Sequence, residues 1–215
     1  MEEIDNPFRK AGIVLLIIGI IDIGVMIYCI ANEISYSSSF NLFAVIAGVL
    51  LMKGGVKTAR VVRWFSAFFV IAFIVVIFLF PITMPIQLLA TQIKLNPVGM
   101  LGSFAFSIVF IGILIWVYRQ LSTPSALAKL DQAGYKTGKP KSALYAAIGI
   151  MVLGGVLFTL LFNSESAEKA KALAKEQLGA AYEYHISRMQ TSGDKGSAVV
   201  TAFNSNEIKN VQVKW

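Results

Sequence analysis

The chain has 215 residues, of which 56% are hydrophobic and only 14% are charged. An ordinary soluble domain is about 45–50% apolar and about 25% charged, so the composition excludes a soluble globular protein. A net charge of +7 would suit nucleic acid, but the Lys and Arg residues lie in short segments between apolar runs. Membrane insertion selects that distribution, so we expect a multi-span membrane protein that binds no nucleic acid.

Five apolar runs are candidates for membrane spans, because about 20 helical residues cross a hydrocarbon core of about 30 Å. The polar tail 1–10 precedes the first run, which no signal-peptide cleavage site follows, so we expect this run to be retained. The second run is short, and Lys53 at its end can extend its ammonium group to the surface. Within a transmembrane domain over 11–162, the predicted spans are residues 11–30, 40–54, 64–80, 98–117 and 143–162.

Positive charge predicts the orientation of these spans, because Lys and Arg near span ends stay on the cytoplasmic side. The segment from Lys53 to Trp64 contains four basic residues and no acid, and we predict that it is a tight loop. Together with the N-terminal tail and the loop 119–142 it holds 11 Lys and Arg residues, whereas two short outer loops hold one, Lys94. We therefore expect a cytoplasmic N-terminus, an extracytoplasmic C-terminus and, from the compact chain, a bacterial inner membrane.

Basic residues at the cytoplasmic ends of the spans are expected to contact anionic lipid headgroups. The loop 136–139 lacks the spacing of a phosphate-binding loop, so it is treated as part of this basic surface. The segment 124–133 is predicted to be a short helix with Leu127 and Leu130 against the membrane. The residues assigned to headgroup contact are Lys53, Lys57, Arg60, Arg63, Lys136, Lys139 and Lys141.

Two prolines, Pro81 and Pro85, interrupt the apolar pattern after the third span. One interpretation is a separate helix over 83–94 on the outer surface, capped by Thr83. The apolar face of that helix would hold Ile86, Leu89 and Ile93. The alternative is a kinked extension of the third span, and the sequence does not decide between them.

Residues 163–215 form the only sizeable soluble part of the predicted layout. Ser164 can cap a helix over 165–178, and Gly179 can end it. Strand patterns separated by turn residues follow at 182–189, 198–203 and 208–215. The predicted fold class is an α-helical multi-span membrane protein with a C-terminal extracytoplasmic α+β module of one helix and a three-stranded antiparallel meander. About 50 residues without a disulfide are marginally stable, so we expect outside support.

Asp22, near the middle of the first span, is the sharpest single candidate for a functional residue, because a charged carboxylate is costly there. The fourth span is expected to bring Ser107 to a similar depth and Ser103 nearer the outer face. One interpretation is a proton- or cation-responsive site. The other is a neutral acid hydrogen-bonded across a helix contact, which is simpler because transport sites gather several polar groups.

The remaining candidate residues are expected to have structural roles rather than catalytic or metal-binding ones. Cys29 and His185 are the single cysteine and histidine, and zinc needs three or four clustered ligands, so we expect no metal and no cofactor. Small residues in the spans predict close helix contacts, within the chain or between copies. Among them are Gly12, Gly19, Gly24, Ala44, Gly48, Ala143 and Ala147.

The predicted function is that of a non-enzymatic accessory, assembly or scaffolding protein whose external module contacts a membrane or envelope partner. The last strand, with Val211, Val213 and Trp215 on one face, would complete the module's core or bind that partner, and its edge can accept a strand. The expected partners are the lipid bilayer and a second protein or another copy of the chain. The alternative is a small transporter or channel subunit with Asp22 in the membrane interior.

Overall fold

A computed structural model describes residues 6–33, 40–193 and 195–215. The first predicted outer loop spans residues 32–39, and its residues 34–39 lie outside the described residues. The helices are α1 (Arg9–Ala31), α2 (Phe40–Met52), α3 (Val56–Thr83), α4 (Ile86–Leu95), α5 (Pro97–Gln120), α6 (Pro124–Gln132), α7 (Lys141–Phe162) and α8 (Glu165–Leu178). The strands are β1 (Glu183–Ser192), β2 (Lys195–Phe203) and β3 (Ile208–Lys214).

Four helices, α1, α3, α5 and α7, are long and apolar enough to cross a membrane, and each has at least 22 residues. Many of their large apolar side chains are exposed, as lipid-facing side chains would be. Helix α2 is apolar but has only 13 residues, which cover roughly 20 Å of a core about 30 Å thick. The chain is therefore a membrane-embedded protein with four candidate spans, and a crossing by α2 stays a prediction.

Most of the segment from Lys53 to Trp64 is helical, so the prediction of a tight loop there was wrong. Helix α3 begins at Val56, and only three residues connect it to α2. Gly54 makes the turn with a φ of 80°, which glycine adopts readily. Charge does not end the helix, because Lys and Arg are good helix formers and can face water at its first turns.

The connection after α3 contains a separate helix, as the first of the two interpretations predicted. Helix α3 continues through Pro81 to Thr83, and α4 begins at Ile86. The Thr83 hydroxyl donates back to the Phe80 carbonyl at 3.1 Å, so it closes α3. The predicted cap was wrong, because Pro85 occupies the position before α4 and no side chain caps that helix.

The chain divides into two compact units. Unit 1 comprises Met1–Ile71 and Phe110–Ala147. Helix α6 contributes Leu130, fully buried, to the core of unit 1, and Leu127 packs against the same core. These leucines therefore contact protein rather than the membrane surface. The largest fully buried side chains of this core are Phe8, Leu51, Leu121, Leu130 and Val117.

Helices α1 and α2 form an antiparallel hairpin that is closest at Gly12 and Gly48. A Cβ added to Gly12 would lie 2.8 Å from the Gly48 carbonyl oxygen, and one added to Gly48 would lie 2.8 Å from the Gly12 oxygen. The predicted small-residue contact is confirmed at these two positions. The Asn6 amide donates to the carbonyls of Leu51 and Met52 at 2.9 Å each, so the start of α1 lies beside the end of α2.

Unit 2 comprises Ala72–Val109 and Ile148–Trp215, including the C-terminal module, here defined as α8 and β1 to β3. The sheet is antiparallel with strand order β1-β2-β3, which confirms the predicted meander. The Ser164 hydroxyl accepts from the Ala167 amide at 3.3 Å, and Gly179 ends α8 with a φ of 83°, so both predicted helix limits are confirmed. Alanines of α8 pack on the sheet, and the buried core is Ala167, Ala170, Ala174, Ile186, Ala198, Val200 and Val213.

Candidate functional site

Arg63 is the centre of the site in unit 1, and it is buried rather than at the surface, with 6% of its area exposed. Its Nε donates to the Ser122 hydroxyl at 2.9 Å. One terminal nitrogen donates to the Thr137 carbonyl at 3.0 Å and to the Gly138 carbonyl at 3.1 Å. These acceptors are neutral, so they hold the guanidinium in place without cancelling its charge.

A cleft of about 950 Å³ surrounds this residue between the start of α3 and the segment 134–142. No acidic side chain is among the described residues that line it. The Arg60 guanidinium lies 4.6 Å from the centre of the Tyr135 ring, and the Trp64 indole donates to the Ser142 hydroxyl at 2.9 Å. The basic residues of this basic cleft are Arg60, Arg63, Lys136, Lys139 and Lys141.

The basic cleft brings together basic residues from two segments that are distant in sequence. Lys53 and Lys57, which were also predicted at headgroup level, are exposed and are not lining residues. Two residues that hold the arginines, Ser122 beside Arg63 and Tyr135 beside Arg60, were not predicted from the sequence. Tyr135 could have been suspected because it is an aromatic residue inside a basic loop. No local sequence pattern predicts the role of Ser122.

The intramembrane polar candidates fall in different units. Asp22 is half-buried on α1 in unit 1, and Ser103 and Ser107 lie on α5 in unit 2. The Ser103 hydroxyl donates to the Gly99 carbonyl at 2.8 Å, and the Ser107 hydroxyl donates to the Ser103 carbonyl at 2.9 Å. The serine hydrogens are therefore bonded within their own helix, and the shared depth with Asp22 stays a prediction.

In unit 2, helix α4 packs against the module. Leu88 and Thr91 are 1% and 4% exposed. The Thr91 hydroxyl donates to the Asn204 carbonyl at 2.9 Å, and the Lys94 ammonium donates to the Ser205 carbonyl at 3.0 Å, both in the β2–β3 turn. We call the pair Thr91 and Lys94 the α4 clamp. It is a contact from outside the module, and a contribution of this contact to the module's stability stays a prediction.

The apolar face predicted for α4 is its more exposed face. Ile86 is 75% exposed and Ile93 is 40% exposed, whereas the buried positions are Leu88 and Thr91. This exposure is compatible with the predicted contact between that face and the outer membrane surface, which stays a prediction. In a membrane protein apolar side chains can face lipid, and a polar contact such as that of Thr91 can face protein.

The residues assigned to partner binding, Val211, Val213 and Trp215, lie in the module's core. Val213 is 2% exposed, and Val211 and Trp215 are half-buried against the same cluster. They complete the core, which is one of the two roles that the sequence allowed. Contact with a partner stays a prediction.

His185 on β1 and Lys171 on α8 line a second cleft, of about 550 Å³, in unit 2. Burial lowers the pKa of His185 from its usual value, and the charge of Lys171 lowers it further. The imidazole is therefore held in its neutral form near neutral pH. In the described part of the chain, no three His, Cys, Asp or Glu residues are placed to hold a metal ion.

Fold and sites together define a membrane-embedded protein with apolar helices, a basic cleft and a small α+β module. The chain matches no protein-family model, no curated protein and no solved structure.

Proposed function

We propose that this chain is a non-enzymatic integral membrane protein of a bacterial inner membrane that presents its external module to a protein partner in the membrane or envelope. The observation that carries the proposal is the α4 clamp. A tether would be enough to keep the module at the membrane, but the clamp also fixes its orientation. A fixed orientation lowers the entropy lost when a partner binds.

The orientation we propose is a cytoplasmic N-terminus and an extracytoplasmic C-terminus after five crossings. Three positively charged segments lie at one end of unit 1, which supports it. Asn6 bonds to the end of α2, and Arg63 bonds to the carbonyls of Thr137 and Gly138. The positive-inside rule makes this end cytoplasmic. The short α2 would cross with its flanking polar groups extended and the bilayer locally thinned.

At that end the basic cleft would bind the phosphate groups of anionic lipids in the cytoplasmic leaflet. Its four exposed basic side chains act through charge, and each contributes about 1 kcal/mol near an anionic surface; they are Arg60, Lys136, Lys139 and Lys141. Aromatic groups at its walls, Trp64 and Tyr135, are of the type that favours the membrane interface. Lipid binding of this kind would hold the cytoplasmic end at a fixed depth.

The test is chemical cross-linking in native membranes, followed by purification of the full chain in mild detergent and mass analysis. We expect one partner in constant ratio. The double variant Thr91→Val/Lys94→Gln should reduce its recovery by up to about 30-fold, because the two lost hydrogen bonds contribute about 1 kcal/mol each and 1.4 kcal/mol corresponds to about tenfold. The matched control is Ile93→Val, an exposed position on the same helix.

Protease resistance of the module separates loss of orientation from loss of folding. The double variant should keep a resistant module, because the module's core contains no α4 residue. Recovery of the chain as a homo-oligomer without a second protein would refute the proposal. An undiminished yield of the partner from the Thr91→Val/Lys94→Gln variant would also refute it.

The alternative, a small transporter or channel subunit, rests on Asp22 alone. The hydroxyl hydrogens of Ser103 and Ser107 are bonded within α5, so the described geometry does not favour a polar path built from them. Ion flux in proteoliposomes that disappears in Asp22→Asn would replace the proposed function by this alternative.

A further inference from the structure

Helices α3 and α7 line an open apolar groove of about 540 Å³ in unit 2. Val75 and Leu79 line it from α3. On α7 its lining residues run from Ile148 to Thr159 and beyond at intervals of three or four, so they form one helix face. This face rises about 16 Å at about 1.5 Å per residue, close to the depth of one leaflet, which is half of about 30 Å.

The groove opens into the second cleft, which we call the polar cleft. Thr159 lines both. The polar cleft lies at the last residues of α3 and α7, where a headgroup would be found, and α8 and β1 of the module form its other walls. The stacked rings of Phe158 and Phe162, with centres 4.1 Å apart, contribute an apolar surface at the junction.

The charge of the polar cleft is positive. Lys171 is the charged residue among its described lining residues, and none of those residues is acidic. The neighbouring His185 and Asn163 supply polar groups for hydrogen bonds. An anionic group is therefore the ligand that this end favours, because an opposite charge beside a half-buried ammonium is attractive.

Space in the groove is open at Gly155. No atom lies within 4 Å of a Cβ built there, although the residue lines the groove. The preceding residue, Gly154, is equally open but is not a lining residue. A large side chain substituted at Gly155 would therefore fill the groove, whereas the same side chain at Gly154 would leave the groove empty.

We propose that unit 2 binds one anionic phospholipid of the surrounding bilayer. One acyl chain lies in the apolar groove, and the phosphate lies in the polar cleft against Lys171. The site differs from an ordinary lipid-facing helix surface because the module covers the headgroup end. It combines a groove of leaflet depth with a positively charged cleft at its upper end.

The experiment is native mass spectrometry of a full-length reference chain released from bilayers of equal parts phosphatidylglycerol and phosphatidylcholine. The reference chain carries Lys136→Gln/Lys139→Gln, which weakens lipid retention at the basic cleft and leaves the site in unit 2 unchanged. We expect one retained phosphatidylglycerol, favoured about fivefold over phosphatidylcholine by one lysine near the headgroup. Gly155→Leu should remove the retained lipid of either kind. Lys171→Gln should abolish the preference for phosphatidylglycerol while a lipid is still retained.

Two matched variants control for general effects. Gly154→Leu adds the same side chain to the same helix, and Lys169→Gln removes the same charge from an exposed position of α8. Both should behave as the reference chain does. Leucine favours helix and membrane, so the glycine variants should fold and insert. Equal retention of the two lipids by the reference chain, or equal loss in a variant and its control, would mean nonspecific annular lipid and would overturn the proposal.

Discussion

The indole ring of Trp215 lies over Gly196, in the space that a Cβ at Gly196 would occupy. The two residues also exchange backbone hydrogen bonds of 2.8 and 3.0 Å, which extend the β2–β3 ladder beyond Lys214. Glycine is needed here because of this close contact. The pair attaches the end of β3 to the start of β2 and covers one edge of the module's core.

Removing the ring should loosen the module. We expect Trp215→Ala, or deletion of residues 211–215, to destabilise the module, and the alanine variant to cost roughly 2 kcal/mol because the ring is half-buried. Limited proteolysis of the full chain in detergent measures this as faster cleavage between 183 and 210. The exposed Lys214→Ala is the control, and unchanged resistance of the truncated chain would contradict the prediction.

The contact between α1 and α2 should not tolerate a methyl group. Gly12→Ala or Gly48→Ala places a Cβ 2.8 Å from a backbone oxygen, so the helices must separate, at a cost of about 1–3 kcal/mol. Thermal unfolding in detergent should show a lower midpoint. Gly24→Ala on the same helix has no neighbour within 4 Å and should be neutral or stabilising. The same midpoint for all three variants would refute this packing.

Arg63 should order the segment 134–142. Arg63→Gln removes the bonds to the carbonyls of Thr137 and Gly138, and hydrogen bonds from a charged group contribute about 1.5–3 kcal/mol each. Hydrogen exchange of that segment should become faster by at least about tenfold. Lys57→Gln, which removes an exposed charge from the same helix, should leave the exchange rates as they were.

The basic cleft should bind anionic headgroups in a salt-dependent manner. Lys136→Gln/Lys139→Gln should lower the number of anionic lipids retained, because about 1 kcal/mol per charge is lost. Native mass spectrometry of chains prepared in low and in high salt measures the number of lipids retained. Fewer should be retained in high salt, because added salt screens the exposed charges. The control removes two exposed charges outside the cleft, Lys53→Gln/Lys57→Gln. If this control loses as much lipid, the cleft has no special role.

Acid should weaken the module through His185. Because burial and Lys171 lower its pKa below the usual 6.5, the unfolded chain takes up the proton first as the pH falls. The stability that the neutral imidazole contributes is thus complete above pH 6.5 and is lost as the pH falls through the folded pKa. Protease resistance at pH 7.5 and 5.5 measures the loss, which His185→Gln should reduce. A variant as acid-sensitive as the unaltered chain would contradict this assignment.

Hydrogen bonds from Tyr182 and Lys209 lower the pKa of Glu207 from 4.5. The stability that this carboxylate contributes is complete above pH 4.5 and is lost only as the pH falls further. It therefore does not change between pH 7.5 and 5.5, the range used to test His185.

Much of the fold was predictable because hydrophobic length and helix-ending residues act locally. The limits of α8 follow from Ser164 and Gly179, and the apolar runs correspond to α1, α2, α5 and α7. The helical start of α3 was missed because charge was treated as a loop signal. In a helix that leaves the membrane, charge indicates where water begins and does not indicate where the helix ends.

The candidate sites were only partly predictable, because they depend on contacts between distant segments. Charge identified the residues of the basic cleft, but the burial of Arg63 depends on carbonyls more than 70 residues away. The groove at Gly155 is a space between helices, and no pattern in the sequence marks an empty volume. The buried face of α4 likewise depends on the turn at Asn204, which contacts Thr91.

The hairpin of α1 and α2 has a consequence for synthesis. Helix α1 is complete and hydrophobic enough to enter the bilayer before Gly48 has been translated, so its Gly12 surface must first meet lipid or a chaperone. Helix α2, which covers only roughly 20 Å, packs on that surface at Gly48. We therefore expect α2 to dock only after α1 has entered the bilayer, and a nascent chain stalled before Met52 to leave the Gly12 surface of α1 uncovered.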